Sequence, residues 1–109
     1  MANTFKLKTK ANVGVTTVGI YTAPASTTTV VIGITMSNTS GSGVNVGVGI
    51  TRAGTTEDVK LLKNAPIPSL SSLEFMAGNK VVLETNDQIN VDSDTINSVD
   101  AALTIMEIT

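Results

Sequence analysis

The chain has 109 residues, a formal net charge of -2 and only 15% charged residues, which bounds it to one domain with one core and argues against an electrostatic nucleic-acid footprint. It contains no Cys and no His. Disulfides, thiolate metal sites, the usual general base and the Ser-His-Asp triad are therefore excluded.

Thr, Val and Ile dominate, and no stretch keeps a 3.6-residue apolar repeat, so strands are expected and almost no helix. Phe5-Lys6-Leu7-Lys8-Thr9 alternates apolar and basic, the pattern of a short edge strand whose lysines discourage edge-to-edge pairing. A second strand is expected over Val13–Tyr21, with Val18 and Ile20 inward, and a turn at Pro24. The longest strand candidate runs from Thr27 to Asn38, with Val30, Ile32, Ile34 and Met36 on one face. The loop Asn38-Thr39-Ser40-Gly41-Ser42-Gly43 has hairpin chemistry and leads into VNVGVGIT, Val44–Thr51. There Val44, Val46, Val48 and Ile50 share one face, and Gly47 and Gly49 leave the other nearly bare. The expectation is one antiparallel hairpin made of these two strands. Its small-residue face either covers the second sheet or docks a neighbour.

Further strands are expected at Asp58–Lys63, Ser69–Phe75, Lys80–Glu84, Gln88–Ser93 and Val99–Ile108. The turns lie at Ala53–Thr56, Ala77-Gly78-Asn79 and Thr85-Asn86-Asp87, with Ala65-Pro66-Ile67-Pro68 as an extended connector. Leu73 with Phe75, Ile89 with Val91, and Ala101, Leu103 and Ile105 are the expected core residues. About eight or nine short strands at this spacing predict an all-β fold, an antiparallel β-sandwich that is jelly-roll-like or immunoglobulin-like.

Candidate chemistry is sparse. Asp92-Ser93-Asp94 begins like a calcium loop, but Ile96 stands where a third oxygen ligand is needed. Asp87, Asp92, Asp94 and Asp100 then read as solvated turn residues. Glu57, Glu74, Glu84 and Glu107 are scattered and form no hydrolase pair. Neither a phosphate loop nor a dinucleotide fingerprint fits the glycine stretches. Phe5, Tyr21 and Phe75 are too few aromatics for a base-stacking or sugar-binding face. No apolar run reaches the roughly 18 residues of a membrane span, and no secretory signal is expected. The expectation is thus a non-enzymatic protein with no cofactor, no metal, no nucleic-acid partner and no membrane partner. Lys6, Lys8 and Lys10, the loop residues Asn38, Thr39 and Ser40, and Gly47 and Gly49 are the candidate contact residues.

Three phrases carry a resemblance: YTAPASTTTVVIGITMSNTSGSGVNVGVGI, LLKNAPIPSLSSLEFMAGNKVVLETNDQINVDSD and VDAALTIMEI. In this order they resemble small virion proteins of tailed bacteriophages, especially those of marine and cyanobacterial phages. Relatives often carry Gly-Asp where this chain has Asn86-Asp87, and Asn adopts left-handed geometry well enough to keep that turn. The resemblance implies a virion protein whose partners are the major capsid protein or other virion proteins, and the expected mode of binding is shape-complementary docking as a homo-oligomer. Its role would be capsid decoration, or a small tail, baseplate or fibre module that binds virion proteins or a host glycan.

Overall fold

The computed structural model describes residues 3–54, 58–75 and 80–109. They form β1 (Asn3–Val13), β2 (Val18–Thr22), β3 (Thr28–Asn38), β4 (Val44–Thr51), β5 (Asp58–Ile67), β6 (Ser72–Phe75), β7 (Val81–Leu83), β8 (Gln88–Ser93) and β9 (Val99–Ile108). One sheet runs β1-β9-β3-β6, with β7 also on β3, and the other runs β2-β8-β4-β5. All pairings are antiparallel. The two short strands β6 and β7 lie end to end against β3, at Ile34–Ser37 and Thr29–Val31. Every other link between successive strands, except the β4–β5 hairpin, crosses from one sheet to the other. That winding is a jelly roll, one of the two sandwiches the strand spacing allows.

The core is built as strand alternation predicts for most strands. Val44, Val46, Val48 and Ile50 of β4 and Ile89 and Val91 of β8 are buried, as are Ala101, Leu103 and Ile105 of β9. Each large aliphatic removed from water in this way contributes about 1.5–3 kcal/mol. Leu73 is partly buried against the core. The expected turn residues Thr55, Thr56, Ala77, Gly78 and Asn79, Glu57 and the Phe75 side chain lie outside the described residues.

Three expectations are corrected. First, β3 and β4 are not partners: they belong to opposite sheets, and the Asn38–Gly43 loop arches over the core. Alternation fixes which side chains face inward and leaves the neighbouring strand open. Second, β3 changes phase. A bulge between Val31 and Gly33 adds one residue relative to β9, so Val31 is buried with Ile34 and Met36 while Val30 and Ile32 are only half-buried. Third, Val13 closes β1 instead of opening β2, and a second bulge in β2 brings Tyr21 into the core beside the half-buried Val18 and Ile20. Edge strand β5 is longer than expected, absorbs Pro66 and carries two irregularities opposite β4. The turn at Asn86 is left-handed at φ 68°, as the Asn-for-Gly reading requires.

Candidate interaction surfaces

The register sets the outward face of the five-stranded sheet. Phe5 pairs with Met106, Met106 with Val30, and Val30 with Val82, so a single apolar row crosses the sheet from edge to edge. Phe5 is 68% exposed, Val82 56%, and Leu7, two residues along β1, 65%. Half-buried Ile108 and Ile32 extend the patch along β9 and β3. Directly paired residues lie close together on one face, so these side chains form one surface and not scattered points. Contiguous exposed apolar surface of this kind is a candidate interaction face. Alternation alone marks β1 as an edge strand and does not say where Phe5 and Leu7 face. Only the identity of the neighbouring strand shows that they face out.

The lysines of β1 lie on its other side. Lys6, Lys8 and Lys10 pair with Ile105, Leu103 and Ala101, the buried face of β9. They stand at the rim where β1 passes β2, their stems beside the core and their charges at its edge. Lys6 Nζ lies 2.9 Å from Glu107 Oε1, and Lys8 Nζ sits 6.0 Å above the centre of the Tyr21 ring. Tyr21 donates its hydroxyl to Glu107 Oε2 at 2.6 Å and also shares a 2.8 Å bond with Thr29 Oγ1. The hydrogen bonds from Lys6 and Tyr21 outweigh burial and hold the Glu107 carboxyl below the usual carboxylate range. Burial, reinforced by the Glu107 bond, pushes the Tyr21 hydroxyl up to about 12. Lys10 stays exposed and borders a recess of about 290 Å³ lined also by Thr35, Ser37, Asp100 and Ala102.

The loop candidates divide. Asn38 is 2% exposed. Its amide donates to the carbonyls of Ser42, Ile67 and Pro68, and its oxygen accepts from Ser40 N and Oγ. Asn38 therefore pins the arch to the β5–β6 connection, and Thr39 and Ser40 are the candidates nearer solvent. Thr39 N and Oγ1 both reach the Ser98 carbonyl, which ties the arch to the β8–β9 loop as well.

Gly47 and Gly49 lie neither between the sheets nor open to a partner. They sit on the outward face of the four-stranded sheet, opposite Asp92 and Asn90 of β8, and both are buried. A Cβ at position 47 would lie 2.7 Å from Asp92 Oδ1 and 3.3 Å from the Leu62 carbonyl. One at position 49 would meet Asn90 Oδ1 at 3.0 Å and the Val59 carbonyl at 3.1 Å. These glycines make room for polar side chains of their own sheet.

The acidic residues hold loops. Asp94 accepts Asn45 N, Asp100 accepts Asn12 N, and Asp92 accepts the Thr17 hydroxyl. Asp87 departs from the solvated reading, at 3% exposure. Burial alone would raise its carboxyl, but the N–H groups of Ala53 and Glu84 and the Arg52 guanidinium together hold it below the ordinary value. Among the described residues no group of three or more acidic, His or Cys side chains is placed to hold a metal ion.

No protein-family model and no curated protein sequence matches this chain. Solved structures do share its fold. A chain of the Bacillus endospore appendages, a family of disulfide-linked pili, is similar at a TM-score of 0.57 and 13% identity, over 99% of this chain and 87% of that one. A chain of the IBDV viral particle is similar at a TM-score of 0.57 and 14% identity, over 96% of this chain and 30% of that one. One from the infectious bursal disease virus Gx strain matches at a TM-score of 0.55 and 9% identity, over 95% of this chain and 32% of that one. This chain thus spans about a third of the length of each viral chain. At these identities the likeness is one of fold.

Proposed function

We propose that this chain is a non-enzymatic structural subunit of a tailed-phage virion, a decoration protein that docks on the major capsid lattice as a homo-oligomer and stabilises it. The observation that carries the proposal is the continuous outward apolar row Phe5–Met106–Val30–Val82, laid on a sheet whose other face is already filled by the core. Apolar burial repeated over many copies gives a lattice protein its hold, and it needs no group that titrates near neutrality. Two kinds of support accompany it. The fold is shared with chains of a pilus and of viral particles, and the sequence phrases resemble small phage virion proteins. Without cysteine, this chain cannot form the disulfide links of those appendages.

The test is add-back to virions stripped of the protein. Saturable rebinding to heads at fixed stoichiometry, with heads regaining resistance to heat, is the expected result. Binding to isolated tails or host glycans with none to heads would replace decoration by the tail or fibre role.

A further inference from the structure

We infer that β1 is an exchangeable strand, and that copies of this chain link when the β1 of one copy takes the place of β1 on the β9 edge of another. The inference deepens the assembly proposed above and rests on it. β1 differs from the other long strands in how little of it enters the fold. From Asn3 to Asn12 no side chain is buried, and Val13 is its only contribution to the core. Yet β1 carries an unbroken backbone ladder from Asn3↔Ile108 to Lys10↔Ala101. It is therefore held by main-chain hydrogen bonds, by a polar latch, Lys6 on Glu107 with Lys8 over Tyr21, and at its end by the Asn12 N–H on Asp100. β9 does not depend on β1 for its place, because its other edge is paired to β3 along its whole length.

The joint is also present. The ladder breaks between Lys10 and Val13, Asn12 is left-handed at φ 59°, and Gly14 to Thr17 form no strand. A short connection next to a peripheral strand favours exchange between copies.

The occupant is a second copy because the acceptor is fitted to this sequence. Glu107 and the Tyr21 face complement Lys6 and Lys8 in charge and spacing, and the β1 of any copy restores the same contacts at no loss. The remaining edges suit a partner strand less well. β2, β6 and β7 are short, and β5 is bulged and carries Pro66. Simple addition of a strand to the free side of β1 is discouraged by its three inward lysines, whereas exchange keeps them where they already fit.

The chain has no native cysteine, so single thiols report pairing cleanly. Leu7 lies opposite Thr104 on the outward face, and Thr9 opposite Ala102. Leu7→Cys and Thr104→Cys chains, one isotope-labelled, are mixed at the concentration where the protein assembles and then oxidised in the presence of a redox buffer. With exchange, the mixed disulfide exceeds each homodisulfide by about tenfold or more, because only that pairing is templated by the ladder. The Thr9→Cys and Ala102→Cys pair gives the same result if one of the first two variants folds poorly. Equal templating of all pairings, which leaves about a twofold statistical excess, or no mixed disulfide in either set, overturns the inference. Head rebinding by the unmodified chain in that event would leave the decoration role standing.

Discussion

At the residue scale, most hydrogen-bonded polar side chains serve the fold. The two N–H groups of the buried Asn38 amide are shared among three carbonyls and its oxygen accepts two bonds, so Asn38→Ala should cost about 3 kcal/mol or more, read as a drop in the urea midpoint. Gly47→Ala should cost about 1–3 kcal/mol, because the new methyl meets Asp92 and a backbone carbonyl. Gly41→Ala, with nothing within 4 Å of its Cβ, should stay within about 0.5 kcal/mol. Had Gly47 lain over an open surface, the two changes would be alike. The sequence showed that Gly47 and Gly49 share a face, but not that Asp92 and Asn90 lean across it, since those come from a strand some 40 residues away in the chain.

At the scale of elements, charge holds the ends of strands in place, and pH should reveal it. Glu107 on β9 and Asp87 before β8 both have carboxyls lowered in the folded state. The stability they add is present above the unfolded carboxylate value of about 4. It is lost as pH falls through their folded values. Urea midpoints measured downward from pH 5 should therefore fall, and the Glu107→Gln, Asp87→Asn double variant should show a flatter acid limb from a lower starting stability. Tyr21 has the opposite sign: its hydroxyl is raised to about 12, so its contribution holds below about pH 10. That contribution fades as pH rises towards 12. Tyr21→Phe should lose about 1.5–3 kcal/mol at pH 7, the worth of a bond to a charged group, and the gap should close at the alkaline end.

β1 should also be the first long strand to exchange its amide hydrogens, since it opens without exposing core side chains other than Val13. Lys6, Lys8 and Lys10 were legible as an edge-strand stripe. The buried acceptor for Lys6 was legible only by half: alternation with Ala101, Leu103 and Ile105 puts Glu107 on the inward face of β9, but Glu107 is 101 positions from Lys6 and nothing local pairs the two.

At the scale of the whole molecule, the two outward faces differ. One carries glycines covered by polar neighbours, and the other carries the apolar row of Phe5, Met106, Val30 and Val82. Phe5→Ser with Leu7→Ser should change stability by no more than about 0.5 kcal/mol per site, since both side chains are mostly in water, while lowering head binding at least about tenfold. Normal binding by that variant would move the docking surface elsewhere. Loss of binding with a large loss of stability would show that the row packs against the chain itself.

The sequence by itself determined the all-β class, the positions of β4, β7, β8 and β9 to within a residue, and the inward residues of β4, β8 and β9. Period-2 alternation is a local property, set by the pleat and by which side chains avoid water. Only the tertiary structure decided that β3 and β4 part company, that Val31 and not Val30 enters the core, and that Phe5 and Leu7 look outward. Those outcomes depend on which distant strand supplies the ladder hydrogen bonds and on single-residue bulges that shift the register. Neither leaves a mark in the local pattern of a Thr-, Val- and Ile-rich chain.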